Sequence, residues 1–358
     1  MVDQPLPPTE LIHLTYDGNF QLDTEATVLL CRVIDSAAPT NNGNNTNMNT
    51  ADVDERTNNI SINEHDDNDN QKEEKKVMRT NISIELQLDV TTMHPQGGGQ
   101  PTDIGSITTI VGMNAFNNSN CEGSEGEEDV VSNSPPIAAS IHKVTIDRTT
   151  GIVTHAGTIS VLPDDDNNNI NNKFPLNSRV KVSVHPQNRQ LLSECHTAGH
   201  VVDAAMDKCG KLLKPTKGYH FLDGPYVEYH GSIDVQEREE FLSRLQLAYQ
   251  ELIDEDIPTN IQILSVDEAE SLCNRLAQNF NMADFISSPT KTTDNKDGID
   301  AGSGGVVRVV TVAGWNCPCG GTHVRSTGAL KERGWGVKGL RCKKNVVRVR
   351  YGPKDETD

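Results

Sequence analysis

The chain has 358 residues, 51 acidic against 32 basic side chains, a formal charge of -19 and 4% aromatic residues. That length suggests about two domains, each able to bury a core. No run of about 18 apolar residues occurs, which excludes a transmembrane helix. The opening Met1–Leu14 stretch lacks a basic region followed by an apolar one, so no secretory signal is read and the cytoplasm is the expected location. Eight cysteines are too sparse for a disulfide scaffold and remain available for metal.

In chain order, residues 10–184 carry short alternating runs. They include Ala26-Thr27-Val28-Leu29-Leu30, Ile82-Ser83-Ile84-Glu85-Leu86-Gln87-Leu88 and Arg179-Val180-Lys181-Val182-Ser183-Val184. Period-two alternation between turn signals predicts strands and a small antiparallel barrel. Four segments interrupt the chain: residues 36–76 with eleven asparagines, 114–137, 163–172 and 287–304. Low hydrophobicity with excess charge cannot offset the entropy of ordering, so these are predicted as disordered loops whose removal leaves the core intact. They carry a combined -14 of the chain's -19, leaving a nearly balanced remainder.

After Pro186 the period changes. Leu191, Leu192, Cys195, Ala198, Val202, Ala205 and Met206 recur at three- and four-residue intervals, predicting a helix over 188–208 with one buried face. A strand is expected over 226–233 and a helix over 235–253, with Phe241, Leu242, Leu245 and Leu252 inward. A strand over 260–265, a helix over 267–278 and strands at 306–312 and 346–351 follow. The second half thus reads as α+β, its strands expected in one sheet against the helices. The predicted organisation is an N-terminal barrel domain, 1–187, and an α+β domain, 188–358. From Arg325 to Arg350 nine Lys or Arg residues face one Glu, a local +8 suited either to nucleic-acid phosphates or to a solvated basic strand pair.

Two short motifs carry metal chemistry. His196-Thr197-Ala198-Gly199-His200 places two imidazoles at i and i+4 on one helix face. Alone, that pair also fits an amphipathic helix with incidental polar contacts. Cys319-Gly320-Gly321-Thr322-His323 joins a thiolate to an imidazole across a flexible glycine pair. Together His196, His200, Cys319 and His323 make a tetrahedral Zn²⁺ set, with Cys317 a competing thiol. Spacing does not decide between a closed structural site and an open catalytic one.

Four motifs in order then give a resemblance: His94-Pro95-Gln96-Gly97-Gly98-Gly99-Gln100-Pro101, the histidine pair at His196–His200, Lys217-Gly218-Tyr219-His220-Phe221, and Cys319-Gly320-Gly321-Thr322-His323-Val324. This set resembles the alanyl-tRNA editing proteins, relatives of the editing domain of alanyl-tRNA synthetase. No aminoacylation domain is read in the chain. The resemblance implies a zinc-dependent deacylase that removes serine from tRNA for alanine, with a barrel preceding the α+β editing domain and tRNA as partner. It implies one zinc on His196, His200, Cys319 and His323, and substrate contacts at Gly97, Gly98, Gly99, Lys217 and Gly218. The glycine run also reads as a plain turn capped by Gln100. Gln100, Thr197 and Thr322 are candidates for the substrate hydroxyl, Thr197 equally an ordinary surface residue of its helix. The Gly320–Gly321 backbone can donate to an oxyanion. His220 and His230 are further acid–base candidates. Thr216 stands where many relatives carry glutamine, which keeps deacylation of another mischarged tRNA (threonyl or glycyl) as an alternative; a non-catalytic zinc-containing tRNA-binding protein is a separate alternative. The residues set no oligomeric state.

Overall fold

The computed structural model describes residues 5–34, 80–110, 136–161, 173–276, 280–285 and 305–354. Apart from residues 136 and 137, the four low-complexity segments lie outside these residues. Alternation in the first half produces six strands, β1 (Asp23–Val33), β2 (Thr80–Leu88), β3 (Gly105–Thr109), β4 (Ala138–Ile146), β5 (Val153–Val161) and β6 (Arg179–Val184). They close in the order β1-β2-β5-β4-β3-β6, with every neighbouring pair antiparallel, so no edge is left unpaired. The inward positions, among them Val28, Ile84, Leu86, Leu88, Ile107, Val153, Val180 and Val182, are fully buried and fill the interior as one hydrophobic core.

The second half is α+β. A long helix, α1 (Pro186–Lys208), starts with Pro186 in its first turn and with His185 Nδ1 accepting from the Asn188 amide at 3.3 Å. It is followed by β7 (Lys214–Tyr219), β8 (Tyr226–His230), α2 (Arg238–Asp254), β9 (Asn260–Ser265) and α3 (Val266–Cys273). Then come β10 (Val306–Val312), β11 (Trp315–Pro318), β12 (Gly336–Lys343) and β13 (Val346–Gly352). A capping box of Ser265 and Glu268 opens α3. The last two strands are joined through Lys344 and Asn345, both at positive φ, the backbone a two-residue hairpin demands.

Two expectations are corrected. The strands do not form one sheet: β12-β13-β8-β7 make a four-stranded sheet and β9-β10-β11 a separate three-stranded one. Nor does α1 bury one face only, because every residue from Leu192 to Met206 is buried. The helix lies between α2, both sheets and the barrel-side loops, and so is enclosed on all sides. Polar side chains in a helix without a solvent face must find partners, and those partners build the site. The short helix begins at Val266 and ends at Cys273.

Candidate metal centre

The enclosed helix α1 presents His196 and His200 one turn apart, 1% and 5% exposed, with ring centroids 5.1 Å apart. Opposite them, the loop that leaves β11 carries Cys319 and His323. The four donor atoms lie within 4.8 Å of one another. Cys319 Sγ sits 3.4 Å from both His196 Nε2 and His323 Nε2. With Zn–S near 2.3 Å and Zn–N near 2.0–2.1 Å, a tetrahedral angle puts sulfur and nitrogen about 3.5 Å apart. Those separations therefore match the edges of a zinc polyhedron. Cys317 lies outside the group. Its sulfur is partly buried, 3.6 Å from the Pro318 carbonyl.

The surrounding hydrogen bonds fix the lone pairs. Gln100 Oε1 is 2.7 Å from His196 Nδ1 and accepts the Thr322 amide at 2.9 Å. A carboxamide oxygen only accepts, so His196 carries its proton on Nδ1 and turns the Nε2 lone pair toward Cys319. Thr197 Oγ1 already accepts from the Val324 amide at 3.1 Å and lies 3.3 Å from His323 Nδ1. With that nitrogen held by the hydroxyl, His323 also presents Nε2 to the sulfur. Both nitrogens of buried His200 lack a hydrogen-bond partner, although Nδ1 faces Asp203 Oδ2 at 3.6 Å. Tyr229 in turn donates to Asp203 Oδ1 at 2.6 Å. Burying an imidazole with neither nitrogen bonded is costly, and a cation held by the ring removes that cost. The residues fit a zinc ion.

Electrostatics separate the rings: His196 and His323 are ready as neutral ligands, while His200 has to release a proton to bind a metal. Burial, then the neighbouring imidazoles, push His196 and His323 well below the usual histidine range, so both rings are neutral ligands. Burial also lowers His200, but Asp203 and the Cys319 sulfur outweigh it and hold the ring up at about 9. For Cys319, burial raises the thiol, while His200, Arg308 and the Gly321 amide bring it below its ordinary value. The Gly321 N–H points at Cys319 Sγ at 3.4 Å. That amide is therefore directed at the sulfur. A Cβ on Gly321 would lie 2.1 Å from His196 Cε1, so only glycine lets this turn approach the ring.

The barrel half reaches into the centre. Gly97 and Gln100 exchange backbone hydrogen bonds at 3.2 and 2.9 Å across Gly98 (φ +57) and Gly99 (φ +80). The glycine run is thus a tight hairpin turn, and it aims the fully buried Gln100 at the metal cluster. Asp103 accepts the His94 amide at 2.6 Å and pairs with Arg189 on α1, whose guanidinium also donates to the Thr92 carbonyl at 2.6 Å. That buried pair fastens the glycine loop to the helix that carries the histidines. Asn19 Nδ2 donates to the His323 carbonyl at 2.8 Å, and its Oδ1 accepts the His323 amide at 3.0 Å.

The other sequence-predicted residues divide. Thr197 and Thr322 are fully buried, so Thr197 is no surface residue. Thr322 Oγ1 accepts from Gln100 Nε2 at 2.9 Å and from Ser193 Oγ at 2.8 Å. Gly218 abuts Gly99, where a Cβ on Gly99 would meet the Gly218 carbonyl at 2.5 Å, while Lys217 is exposed on β7. Thr216 is also exposed and donates to the Glu228 carbonyl at 3.1 Å, away from the cluster. His220 stacks on His196 at 4.2 Å and shares a 2.5 Å hydrogen bond with Tyr351, whereas His230 is exposed beside Asn345. Burial pushes His220 down to about 3. Sequence reasoning missed Asn19, Ser193, Asp203 and Tyr351. Ser193 and Asp203 could have been found as polar residues within the turns flanking the histidine pair; Asn19 carries no local signal.

Among the described residues, no helix is long and apolar enough to cross a membrane. The family model of the threonyl and alanyl tRNA synthetase second additional domain matches residues 307–332, a span that includes Cys319 and His323. The alanyl-tRNA editing proteins AlaX-M of Methanosarcina barkeri and Methanosarcina acetivorans are 25% and 26% identical to this chain over 246 residues, which is 68% of this chain and 79% of each relative. The alanine–tRNA ligase of Fervidobacterium nodosum is 24% identical over 265 residues, covering 72% of this chain and 23% of the ligase.

Proposed function

We propose that this chain, for which the comparisons support an AlaX-like editing family, is a trans-editing deacylase that hydrolyses the ester of mischarged tRNA, foremost serine on tRNA for alanine. The observation that carries the reading is the convergence of His196, His200, Cys319 and His323, with the Nδ1 atoms of two rings held by Gln100 and Thr197. These four residues would hold one Zn²⁺. With a fifth position open beside these four donors, zinc would supply a coordinated water of pKa lowered from about 16 to about 7, or would polarise a carbonyl.

The chain's own residues supply the rest. Gln100 keeps the His196 proton on Nδ1 and holds the ring in orientation. Thr197 holds the His323 ring in orientation through Nδ1 while accepting the Val324 amide. Gly321 donates to Cys319 and stabilises its thiolate. Read with Gln100 and Ser193 both donating, Thr322 Oγ1 has filled its two acceptor positions and keeps one O–H to give. A substrate hydroxyl accepting that proton would be recognised, and alanine, lacking one, would leave the donor unpaired. A site built to bond a hydroxyl rejects the analogue without it by roughly 10⁴ to 10⁵. Within the glycine turn Gly98 is the position with open space beside it, while Gly99 and Gly218 pack against each other and against His220, so the ester end would approach the backbone at Gly98.

The test is deacylation of Ser-, Gly- and Thr-charged tRNAs by zinc-loaded wild type and Cys319→Ala. Hydrolysis of Ser-tRNA(Ala) that is lost in the variant is expected. Preference for a threonyl or glycyl ester would replace the serine assignment. Hydrolysis by neither protein, with tRNA still bound, would make this a non-catalytic zinc-containing tRNA-binding protein.

A further inference from the structure

The metal site uses one face of the second half; the outer face of the four-stranded sheet is left over. Along β13, Val347, Val349 and Tyr351 turn into the core, so Arg348 and Arg350 turn outward. Register then sets their neighbours: Arg341 opposite Arg348, Lys343 opposite Val346, Tyr226 opposite Arg350, and Lys217 and Tyr219 opposite Glu228 and Tyr226. One sheet face thus collects Lys217, Arg341, Lys343, Arg348 and Arg350 against Glu228. Arg348 is bound to Glu228 through Nε at 2.8 Å and Nη2 at 2.6 Å, and so cancels the only acid among these six. Lys217, Arg341, Lys343 and Arg350 make no ion pair with any described residue. In a chain of net charge -19, a face carrying four uncompensated cations is a local inversion of sign.

The same face carries a ladder of rings. Phe221 stacks on Tyr219 at 4.6 Å and 16°, Tyr219 on Tyr226 at 5.1 Å and 19°, and the Arg348 guanidinium lies 3.9 Å over Tyr226. Lys217 Nζ hangs 5.9 Å from the Tyr219 ring and 5.6 Å from Tyr226. Asp223, at the rim, accepts from the Tyr219 hydroxyl at 3.0 Å and holds that ring upright. All three rings are half-buried. The ladder therefore has a basic end at Arg348 and an uncharged end at Phe221. Phe221 follows directly on His220, whose ring stacks on His196 of the metal cluster. Cations beside stackable rings, in a row that runs toward a buried reactive centre, match the requirements of an unpaired nucleic-acid strand: phosphates on the cations and bases on the π-faces.

We infer that this sheet face binds the single-stranded 3′ end of an RNA, with its phosphates over Lys217, Arg341, Lys343 and Arg350 and a terminal base extending the ring ladder at Phe221. The inference rests on the deacylase reading for the direction in which the strand runs, and it adds where the strand lies and which residues hold it. Charge decides against an acidic-residue or metal-binding role for the face, and the ring ladder distinguishes it from a surface that only attracts polyanions.

The probe is a fluorescein-labelled, uncharged single-stranded RNA of seven nucleotides, titrated into the full zinc-loaded chain by anisotropy at several salt concentrations. Wild type should bind it with an affinity that falls as salt rises. The double variant Arg341→Ala/Arg350→Ala should reduce the slope of log K against log salt by about 1.4, since each phosphate contact to a single strand contributes about 0.7. Phe221→Ala should weaken binding by about 10-fold or more with the salt slope unchanged, because it removes stacking and no charge. Zinc content and melting temperature, measured on each variant, separate loss of contact from loss of fold; Phe221→Leu, which keeps apolar volume without a ring, serves if the alanine variant unfolds. Wild type that fails to bind, a double variant with unchanged slope, or tighter binding to a duplex of equal length or to phosphatidylserine vesicles would each overturn the inference. Because the RNA carries no amino acid, binding without any deacylation would sink the proposed activity and leave this surface standing. Deacylation with KM unchanged in the double variant would do the reverse.

Discussion

Asn19 offers the sharpest perturbation because it touches the metal loop only through the backbone. Its carboxamide pairs with both the N–H and the C=O of His323, at 3.0 and 2.8 Å, and Asn19 and His323 are 2% and 1% exposed. Asn19→Ala leaves one buried donor and one buried acceptor without partners and with no route for water. Each unsatisfied group costs about 1–3 kcal/mol, so a loss of about 2–4 kcal/mol is expected once partial relaxation is allowed. For a folded unit of about 150–250 residues, 1 kcal/mol moves the melting temperature by about 2–4 °C, which gives a fall of about 4–16 °C. The loop that carries His323 also loses its anchor, and removal of a group that orients a ligand costs about 10- to 100-fold in metal affinity. Competition against a chromophoric chelator reads the second quantity, and calorimetry with and without zinc reads the first. Asn19→Asp keeps an acceptor for the His323 amide but loses the donor to its carbonyl, and should fall between wild type and the alanine variant. Zinc affinity within twofold of wild type together with a melting temperature within 1 °C for Asn19→Ala would refute the claim that the barrel half organises the metal loop.

Other outcomes follow from the same geometry. Gly321→Ala should abolish tight zinc binding, because its methyl would overlap the His196 ring. Gly98→Ala has open space, and should cost only the roughly 1–2 kcal/mol of a non-glycine residue at positive φ while keeping zinc. Equal zinc affinities in the two variants would contradict this. Gln100→Leu should weaken zinc by about 10- to 100-fold, and Gln100→Glu, which keeps an acceptor for His196 Nδ1 and the Thr322 amide, should recover part of that loss. Chelator competition on both variants checks the order. His155 in the barrel is fully buried between Thr91 and the Leu86 carbonyl, and burial pushes it down to about 4. The unfolded imidazole titrates near 6.5, so below that pH the unfolded chain takes up a proton the folded one refuses. The stability present above about pH 6.5 is therefore lost as pH falls toward 4, about 3 kcal/mol when the loss is complete. Urea unfolding of wild type and His155→Asn at pH 7.5 and 4.5 should show a smaller acid loss in the variant; equal losses would remove His155 as a cause.

Much of the architecture is written in local pattern. Period-two alternation at Ile82–Leu88 and Arg179–Val184 marks strands because successive side chains in extended backbone must face opposite sides, one toward the core. The change to three- and four-residue spacing after Pro186 marks the helix for the same geometric reason. The i, i+4 histidines and the Cys-x₃-His loop are legible as donors because each pair is brought together by a single turn of chain. Local pattern stops where separate segments meet. Gln100 lies 222 residues from Thr322 and Asn19 lies 304 residues from His323, yet both pairs are bonded. Nothing in the spacing of either residue encodes a partner so distant, since the contact exists only after the barrel has closed and docked on the helix. The division of the strands into two sheets and the enclosure of α1 on every side are of the same kind. Periodicity tells which face of an element is apolar, while the neighbours that cover its remaining faces are chosen by the packing of the whole chain.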